Sequence, residues 1–374
     1  MNSIKENFII KNSQYGKISQ KDTSMSLKTQ YKTNNNSECR KVQFPTNNNE
    51  KVIFKGDYPM ISEEFELKEY IGRGSSGIVY KGILKKNRNP VAIKIFTNEK
   101  QREKKEEKEK NKRQLQEIAV SKKLHHKNII LLYAFFQNEK NDYSVQELAK
   151  YGDMIYFLKN LLKRQVFPET ALNYFAKQIL EGLAYLHRLK TVHLDIKPDN
   201  ILINSALEAK IIDFSVACSY SQYNPEDLVK FPFVGTGKFM SPEIIDRTHM
   251  RVKEAEKLDI YSLGVTLYYL FYGEYPYKLN DVKSNDYPNT LKNIKNQKLE
   301  FPKGRIISKL FKDILTQMLE KDYKKRITIN EALNHPWIQG SKFIFDEKEN
   351  SNCLESFLIN LITDNIKKFN DYIN

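Results

Sequence analysis

Short stretches of alternating apolar and polar residues mark the front of the folded part of the chain. The alternation in FELKEYI, residues 65–71, predicts a half-buried strand. Two more strands are predicted over IVYKGIL (78–84) and PVAIKIF (90–96), because both runs are short and rich in β-branched residues. A glycine-rich stretch separates the first two strands.

Helical periodicity dominates the rest of the chain. Apolar residues at three and four spacing predict an amphipathic helix over 172–189, whereas 258–273 is apolar nearly all round and predicts a helix buried at the centre of a lobe. Residues 99–113 have no apolar face and predict a solvated helix with Glu–Lys pairs, which enters the core where 114–124 become amphipathic. Strands followed by helices predict an α+β fold with two unlike lobes.

Both ends of the chain differ in composition from the middle. Residues 1–56 are rich in Asn and Lys and hold ten basic and four acidic residues, so we expect a disordered basic tail. Residues 341–374 have apolar positions at three and four spacing, which predict an amphipathic helix docked on the large lobe. Calmodulin binding is the weaker alternative, because this segment has four basic and six acidic residues.

Charge and cysteine content narrow the class of protein. With 61 Lys and Arg against 46 Asp and Glu, the net charge of +15 is compatible with a nucleic-acid binder, a membrane-surface binder or an enzyme with a charged tail. Cys39, Cys218 and Cys353 are far apart, which excludes a zinc ribbon and argues against a disulfide framework. No secretory signal or membrane-spanning run is visible, so we expect an intracellular protein, cytoplasmic or alternatively nuclear.

The glycine-rich stretch is the first candidate for chemistry. Gly72, Gly74 and Gly77 have the spacing that lets backbone N–H groups approach phosphates, although an ordinary hairpin turn is the alternative. Its position between two strands argues against a dinucleotide-binding fold, which needs a strand and a helix. Lys94 in VAIK lies on the third predicted strand, either exposed on the sheet or placed to neutralise phosphate charge.

One later segment is much more specific. VHLDIKPDNIL, residues 192–202, resembles the catalytic loop of protein kinases, whose usual form is H-R-D-x-K-x-x-N. Further kinase-like motifs follow in the family's order: IIDFS (211–215), GTGKFMSPE (235–243), DIYSLG (259–264) and RITINEALNHPWI (326–338). The resemblance covers residues 65–338. It implies a bilobal fold with a small β-rich lobe over 65–146, a larger helical lobe over 150–338, and ATP between them.

The resemblance also implies a role for each matching residue of the loop. Asp195 would accept or orient the proton of the substrate hydroxyl, and Asn200 and Asp213 would hold Mg²⁺. Lys197 matches the lysine that stabilises the transferred phosphoryl group in serine/threonine kinases, and Thr236 matches the threonine that contacts it. The implied activity is a serine/threonine protein kinase that transfers the γ-phosphate of MgATP to protein substrates.

The ATP site is carried over in the same way. Lys94 would contact the α- and β-phosphates, with Glu117 as its partner in preference to Glu103, Glu106, Glu107 or Glu109 of the solvated segment. Backbone groups of Glu147 and Ala149 would meet the adenine, with Gln146 at the back of the pocket. The other residues expected around ATP are Ile71, Gly72, Arg73, Gly74, Ser75, Ser76, Gly77, Ile78, Val79 and Ala92.

Three residues depart from the family pattern. Leu194 replaces the arginine that pairs with a phosphorylated activation loop, which argues against activation by that route. Ser215 replaces the glycine of D-F-G, and Ser121 stands where a large apolar side chain of the packing spine is usual. Both serines favour slow or inactive states, so a pseudokinase scaffold that binds ATP with little catalysis is the alternative function.

Partners follow less directly from the residues. Protein substrates are implied. Asp153 and Asp199 stand where some kinases contact a basic residue of the substrate, with ribose contact or loop geometry as the alternatives. HLD, HPWI and the run LGVTLYYLFYGEYPY most resemble the calcium/calmodulin-dependent kinases. Specific nucleic-acid binding is not expected, because no nucleic-acid module accompanies the basic charge, and the sequence identifies no regulatory partner.

Overall fold

The computed structural model of the chain describes residues 65–73, 77–97, 104–137, 141–277 and 287–340. The predicted basic tail at 1–56, the predicted C-terminal helix at 341–374, and Gly74, Ser75 and Ser76 of the glycine-rich stretch lie outside these residues. Within them, no helix is both long and apolar enough to cross a membrane.

The small lobe is a five-stranded antiparallel sheet with one long helix, α1 (Lys104–Ser121). Its strands are paired in the order β1-β2-β3-β5-β4. Val91, Ile93 and Val145 belong to a small apolar core formed by residues of this sheet. The strands are β1 (Phe65–Arg73), β2 (Ile78–Leu84), β3 (Pro90–Thr97), β4 (Leu132–Gln137) and β5 (Asn141–Glu147).

Strand β1 differs from its prediction in burial. Phe65 is buried, but Leu67, Tyr70 and Ile71 are all exposed. The expected half-buried alternation is therefore wrong, although the strand itself is present. The physical reason is its place at the edge of the sheet, where it pairs only with β2 and the small core covers only its first residue.

The large lobe is mainly helical. Its helices are α2 (Met154–Tyr156, continued by a π-helical turn at Phe157–Leu161), α3 (Glu169–Arg188), α4 (Pro242–Ile245), α5 (Glu256–Tyr272), α6 (Tyr287–Asn296), α7 (Lys309–Met318), α8 (Ile329–Asn334) and α9 (Pro336–Gln339). The lobe also contains three antiparallel pairs of short strands: β6 (Thr191–Val192) with β9 (Cys218–Ser219), β7 (Ile201–Ile203) with β8 (Ala209–Ile211), and β10 (Leu228–Val229) with β11 (Met250–Arg251).

Helix α5 is the centre of the large lobe. Fourteen of its seventeen residues are buried, as its all-round apolar pattern predicts. It ends at Gly273, whose φ of 77° is the left-handed conformation that glycine adopts without strain, and the Gly273 N–H donates to the carbonyl of Tyr269. The architecture confirms the predicted α+β, bilobal fold.

A buried ion pair fixes the base of the large lobe. Arg326 is 1 % exposed, and its guanidinium donates to both carboxylate oxygens of Glu243, at 2.7 and 3.2 Å. It also donates to the carbonyls of Lys257 and Glu320, both at 2.8 Å. These bonds satisfy a charge that would otherwise be costly to bury, and they join α4 to the segment before α8.

Candidate active site

Strand β3 and helix α1 bring two opposite charges together in the small lobe. Lys94 stands opposite Val79 of β2 and Ser144 of β5 in the sheet. Its Nζ lies 2.6 Å from Oε1 and 2.9 Å from Oε2 of Glu117, which is 3 % exposed on α1. Of the glutamates weighed from the sequence, Glu117 is therefore the one that the structure brings to Lys94.

Two glutamine side chains hold α1 in this position. The Gln114 side chain donates to Asp142 on β5, and both residues are buried. The Gln116 side chain donates to the carbonyl of Ala217 at 2.9 Å, which links α1 to the segment after Asp213. The helix is thus tied by polar contacts to both the sheet and the large lobe.

The predicted catalytic loop, residues 193–200, is a closed network around Asp195. Asp195 Oδ1 accepts the Thr236 N–H at 2.8 Å, and its Oδ2 lies 2.9 Å from both Asn200 Nδ2 and Lys197 Nζ. Asn200 also donates to the Asp195 carbonyl at 2.8 Å, and Lys197 donates to Thr236 Oγ1 at 2.6 Å. Because both of its oxygens are engaged in these contacts, the Asp195 carboxylate is fixed in orientation.

Asp259 of α5 supports this loop from below. Its Oδ2 accepts the His193 N–H at 2.9 Å and lies 2.8 Å from His187 Nε2, while its Oδ1 accepts the Leu194 N–H at 2.9 Å. Asp259 is completely buried, which by itself would raise its pKa, but the hydrogen bond and charge of His187 lower the pKa below its ordinary value. A buried carboxylate therefore fixes the backbone that precedes Asp195.

The loop contains a backbone conformation that needs such support. Leu194 has φ of 66°, in the left-handed region that a branched side chain rarely adopts. Gly235, with φ of 104°, approaches so closely that a Cβ at this position would overlap the Leu194 carbonyl oxygen. Glycine is the residue that permits this contact, which places Thr236 against Asp195.

Asp213 completes the set of charged residues. It has φ of 64°, and its Oδ1 accepts the Ser215 N–H at 3.3 Å. Burial acts to raise its pKa, but the positive charge of Lys94 and the Ser215 side-chain hydrogen bond lower the pKa below its ordinary value. The adjacent Phe214 ring lies 5.2 Å from the His193 ring, edge to face, and His193 Nε2 lies 2.8 Å from the Ile212 carbonyl.

The predicted adenine-binding segment connects the two lobes. The Glu147 N–H donates to the Leu131 carbonyl at 2.9 Å, and the Ala149 carbonyl accepts the Gly152 N–H at 3.3 Å. Gln146 pairs with Ala92 across β5 and β3, and its side chain donates to Ser144 Oγ at 2.9 Å. At the other side of the cleft, Gly72 and Arg73 end β1 opposite Val79 and Ile78.

The arrangement agrees with a comparison to known protein families. Residues 65–338 match the family model described as protein kinase domain. The chain belongs to the protein kinase family. It is similar to the serine/threonine-protein kinase Aurora-1 of Arabidopsis thaliana, with 30% identity over 74% of this chain and 86% of the relative. It is also similar to myosin light chain kinase A of Dictyostelium discoideum, with 31% identity over 75% of this chain and 90% of the relative.

These relatives establish the type of activity. A calcium/calmodulin-dependent protein kinase kinase of Caenorhabditis elegans is 31% identical over 78% of this chain and 55% of its own length. The kinase is a serine/threonine protein kinase, which confirms the activity expected from the sequence, and no comparison favours the pseudokinase alternative. Members of this family use ATP and Mg²⁺ and act on protein substrates.

The three departures from the family pattern have distinct surroundings in this kinase. Leu194 is 5 % exposed and belongs to the large apolar core, so an apolar contact stands where a cation was expected. Ser215 supports Asp213 by hydrogen bonds from its backbone and side chain. Ser121 is buried at the end of α1, the helix that Gln114 and Gln116 hold by polar contacts.

The activation segment of the kinase, residues 213–243, is fastened to its own large lobe. Tyr220 donates its N–H to the Lys190 carbonyl at 2.8 Å, and its buried ring packs edge to face on Phe231. Farther along, β10 pairs with β11, and Glu226 lies 2.6 Å from Lys253 Nζ and 3.5 Å from Arg251 Nε. Phe231, in the apolar stretch KFPFVGTG (230–237), is buried in the core of the large lobe.

Asp153 caps a helix of the large lobe. Its Oδ1 accepts the N–H groups of Ile155 and Tyr156 at the start of α2, both at 2.9 Å, which agrees with the loop-geometry alternative, and a contact with a substrate residue stays a prediction. Burial raises its pKa despite these bonds. Asp199, in contrast, is exposed.

Sequence reasoning singled out neither Asp259 nor Gln116, whose contacts position the site. It also did not single out Lys210, whose Nζ lies 3.0 Å from Oε1 of Glu147. A signal existed for Asp259, because it is an acidic residue inside an otherwise apolar helix and belongs to the DIYSLG motif. No local signal marks Gln116 or Lys210, since their partners are remote in the sequence: Ala217 lies 101 residues from Gln116.

Proposed function

We propose that Lys94, Asp195, Lys197, Asn200 and Asp213 carry the transfer of the γ-phosphoryl group of MgATP to serine or threonine hydroxyls of proteins. The observation that carries this proposal is that two sets of charged residues are in contact within the same chain. Lys94 is paired with Glu117 at 2.6 Å, and Asp195 is held by Thr236, Asn200 and Lys197.

The donor set at Asp213 and Asn200 fits Mg²⁺. The Asn200 amide nitrogen is used by Asp195, which leaves the amide oxygen as its ligand atom, and the carboxylate of Asp213 is kept ionised by its low pKa. No cluster of three His, Cys, Asp or Glu occurs among the described residues, and Mg²⁺ is commonly held by one or two protein oxygens together with substrate phosphates. When bound, the ion neutralises phosphate charge.

Asp195 and its neighbours have two tasks, to accept the proton of the substrate hydroxyl and to balance the negative charge of the transferred group. The substrate hydroxyl oxygen forms a bond to the γ-phosphorus as the bond to the ADP oxygen breaks, and the hydroxyl proton passes to Asp195. Lys197, 2.9 Å from that carboxylate, is placed to balance negative charge on the transferred group. Lys94, oriented by Glu117, binds the α- and β-phosphates.

The remaining parts of the ATP site are assigned on the same basis. Backbone groups of Glu147 and Ala149 bind the adenine, and Gln146 limits the pocket beside Ala92. The glycine-rich stretch from Ile71 to Val79 covers the phosphates, with its undescribed centre at Gly74, Ser75 and Ser76. The exposed Asp199 is the candidate contact for a basic residue of the substrate.

We place this reaction inside the cell, in the cytoplasm or the nucleus. The three dispersed cysteines of the sequence, of which Cys218 is a free thiol, support a reducing compartment. Fractionation of cells with an antibody to the chain tests this assignment, and recovery from the medium would contradict it.

A phosphorylation assay with matched variants tests the function. The full chain, MgATP labelled in the γ-phosphate and a generic basic protein substrate are combined, and transfer is measured for the parent, Lys94→Met and Asp195→Asn. We expect each variant to lose about 100-fold to 1,000-fold in kcat, because each removes a charge aimed at the reacting groups.

Two controls make the result specific. Lys81→Met removes an exposed lysine of the neighbouring strand β2, whose partner is Glu69, and Asp246→Asn removes an exposed aspartate beside α4. Both should retain the parental rate. Equal silence of the parent and Asp195→Asn, in a sample that still binds MgATP, would support the scaffold alternative instead.

A further inference from the structure

A buried lysine lies behind the segment that connects the lobes. Lys210, in the middle of β8, is 6 % exposed, although lysine is among the residues least often buried. Its Nζ lies 3.0 Å from Oε1 of Glu147 and 3.3 Å from Oε2 of Glu208. The cation is therefore shared between the connecting segment and the β7–β8 turn.

Asn204 completes this polar cluster. Its amide nitrogen donates to Glu208 at 2.9 Å and to Glu147 at 3.3 Å. Its amide oxygen accepts the N–H groups of Ala206 and Glu208, which shapes the turn between β7 and β8. The Glu147 carboxylate thus receives both of its contacts from the large lobe.

The positions of Glu147 and Lys210 in the chain give the cluster its meaning. Glu147 is the last residue of β5, at the point where the chain leaves the small lobe and where the adenine is expected to bind. Lys210 is three residues before Asp213, the expected metal ligand. One ion pair therefore joins the adenine side of the cleft to the strand that leads to the metal side.

Burial explains why this pair acts on position more than on stability. Removing a lysine from water is costly, and a buried ion pair often adds little net stability compared with an apolar pair of the same volume. The geometry of such a pair is nevertheless exacting, because each charge must stay within reach of the other. A kinked or shifted connecting segment would leave the Lys210 charge poorly compensated.

We propose that Lys210 and Glu147 are positioning residues that hold the backbone of residues 147–149 in the conformation that binds adenine. This inference rests on the proposed adenine site. Because the pair touches neither the phosphates nor the substrate hydroxyl, its loss weakens adenine binding and leaves phosphoryl transfer at saturating ATP unaffected. In kinetic terms, KM for ATP rises while kcat and KM for the protein substrate do not change.

The test compares binding and kinetics for Lys210→Met and Glu147→Gln. Binding of adenosine, which lacks phosphates, is measured by calorimetry on the full chain, beside KM for ATP in the phosphorylation assay. We expect about fivefold to tenfold weaker adenosine binding and a matching rise in KM for both variants. Inorganic tripolyphosphate, as a probe of the phosphate side, should bind the parent and both variants equally.

Glu208→Gln is the matched control. It removes the other carboxylate from the same lysine but leaves the Glu147 contact, so adenosine should bind as to the parent. Lys210→Arg keeps the charge and should recover most of the affinity. If Lys210→Met does not fold, Glu147→Gln decides, since it leaves the lysine paired with Glu208.

The outcomes separate this inference from the proposed function. Parental adenosine affinity in Lys210→Met and Glu147→Gln would overturn the inference, as would an equal loss in Glu208→Gln. A parent that does not bind adenosine would overturn both the inference and the adenine site. A parent that binds adenosine but transfers no phosphate would overturn the proposed catalytic roles, while the binding measurements would still decide the role of Lys210.

Discussion

Replacement of Asp259 by asparagine tests whether a buried carboxylate holds the catalytic loop. In the parent, its two oxygens accept the N–H groups of His193 and Leu194 and contact His187. Asparagine keeps the size of the side chain but replaces one acceptor oxygen by an NH₂ group. In either orientation of the amide, that NH₂ group faces a backbone N–H, of His193 or of Leu194.

The expected cost follows from these contacts. One buried backbone donor without an acceptor costs about 1–3 kcal/mol, and loss of the negative charge weakens the remaining bonds by a further ~1 kcal/mol. Leu194 is in a left-handed conformation that it adopts at a cost, so this segment depends on contacts such as those to Asp259. The sum is about 2–4 kcal/mol.

Two measurements show whether this free energy is lost from the stability of the fold or from catalysis. Urea unfolding gives the loss of stability, and a phosphorylation assay at saturating MgATP gives kcat. If the folded chain releases the loop instead of unfolding, a cost of 2–4 kcal/mol corresponds to about 30-fold to 900-fold in kcat. We predict that Asp259→Asn lowers the free energy of unfolding, kcat, or both, by these amounts.

Asp313→Asn is the matched control. Asp313 also faces a histidine, His335, at 3.0 Å, but its side chain is 57% exposed. Its replacement should lower stability by less than about 1 kcal/mol. The reasoning is refuted if Asp259→Asn also stays within that limit and retains kcat within threefold of the parent, because the loop would then not depend on this carboxylate.

Four further predictions concern the rest of the molecule. Arg326→Met should lower the free energy of unfolding by about 3–5 kcal/mol in urea, because it leaves a buried carboxylate unpaired, whereas Arg251→Met, at an exposed pair, should have a much smaller effect. Gly235→Ala should abolish transfer in the phosphorylation assay while the chain remains folded by circular dichroism, since the new Cβ overlaps the Leu194 carbonyl. The pKa of Asp259 is lowered on folding. Its contribution to stability is therefore complete above the unfolded pKa near 3.8 and is lost as the pH falls through the folded pKa. Acid titration should destabilise the parent more steeply than Asp259→Asn below about pH 4. Phosphatase treatment of the purified chain should leave its specific activity unchanged, and a large loss would show that the activation segment needs phosphate.

The sequence allowed those features to be predicted that depend on local pattern or on fixed spacing. The all-round apolar run of α5 indicated a central helix, and α5 is indeed buried on all sides. Glu117 was indicated by the resemblance of its segment to the kinase family and by its place in the amphipathic part of α1, and it lies 2.6 Å from Lys94. Periodicity carries such information because a buried face repeats with the geometry of the element.

Contacts between distant segments had no such signal. Nothing near Lys210 indicates that its charge is buried against Glu147, and nothing near Gln116 indicates a bond to Ala217. Edge position is equally invisible in one strand, which is why the burial of β1 was mispredicted. Asp153 shows a further limit: the sequence left its role open between a substrate contact and loop geometry, and the capping bonds became visible only in the folded structure.

The pairing of β10 with β11 affects how a signal would be passed through this molecule. The activation segment is held by contacts made within one chain, including Glu226 with Lys253, and an apolar side chain stands at Leu194 where a phosphate-binding cation is usual. We predict that ordering of the segment accompanies folding and does not depend on phosphorylation. We therefore expect kinase activity in the cell to follow the abundance of this protein and not the phosphorylation state of its activation segment.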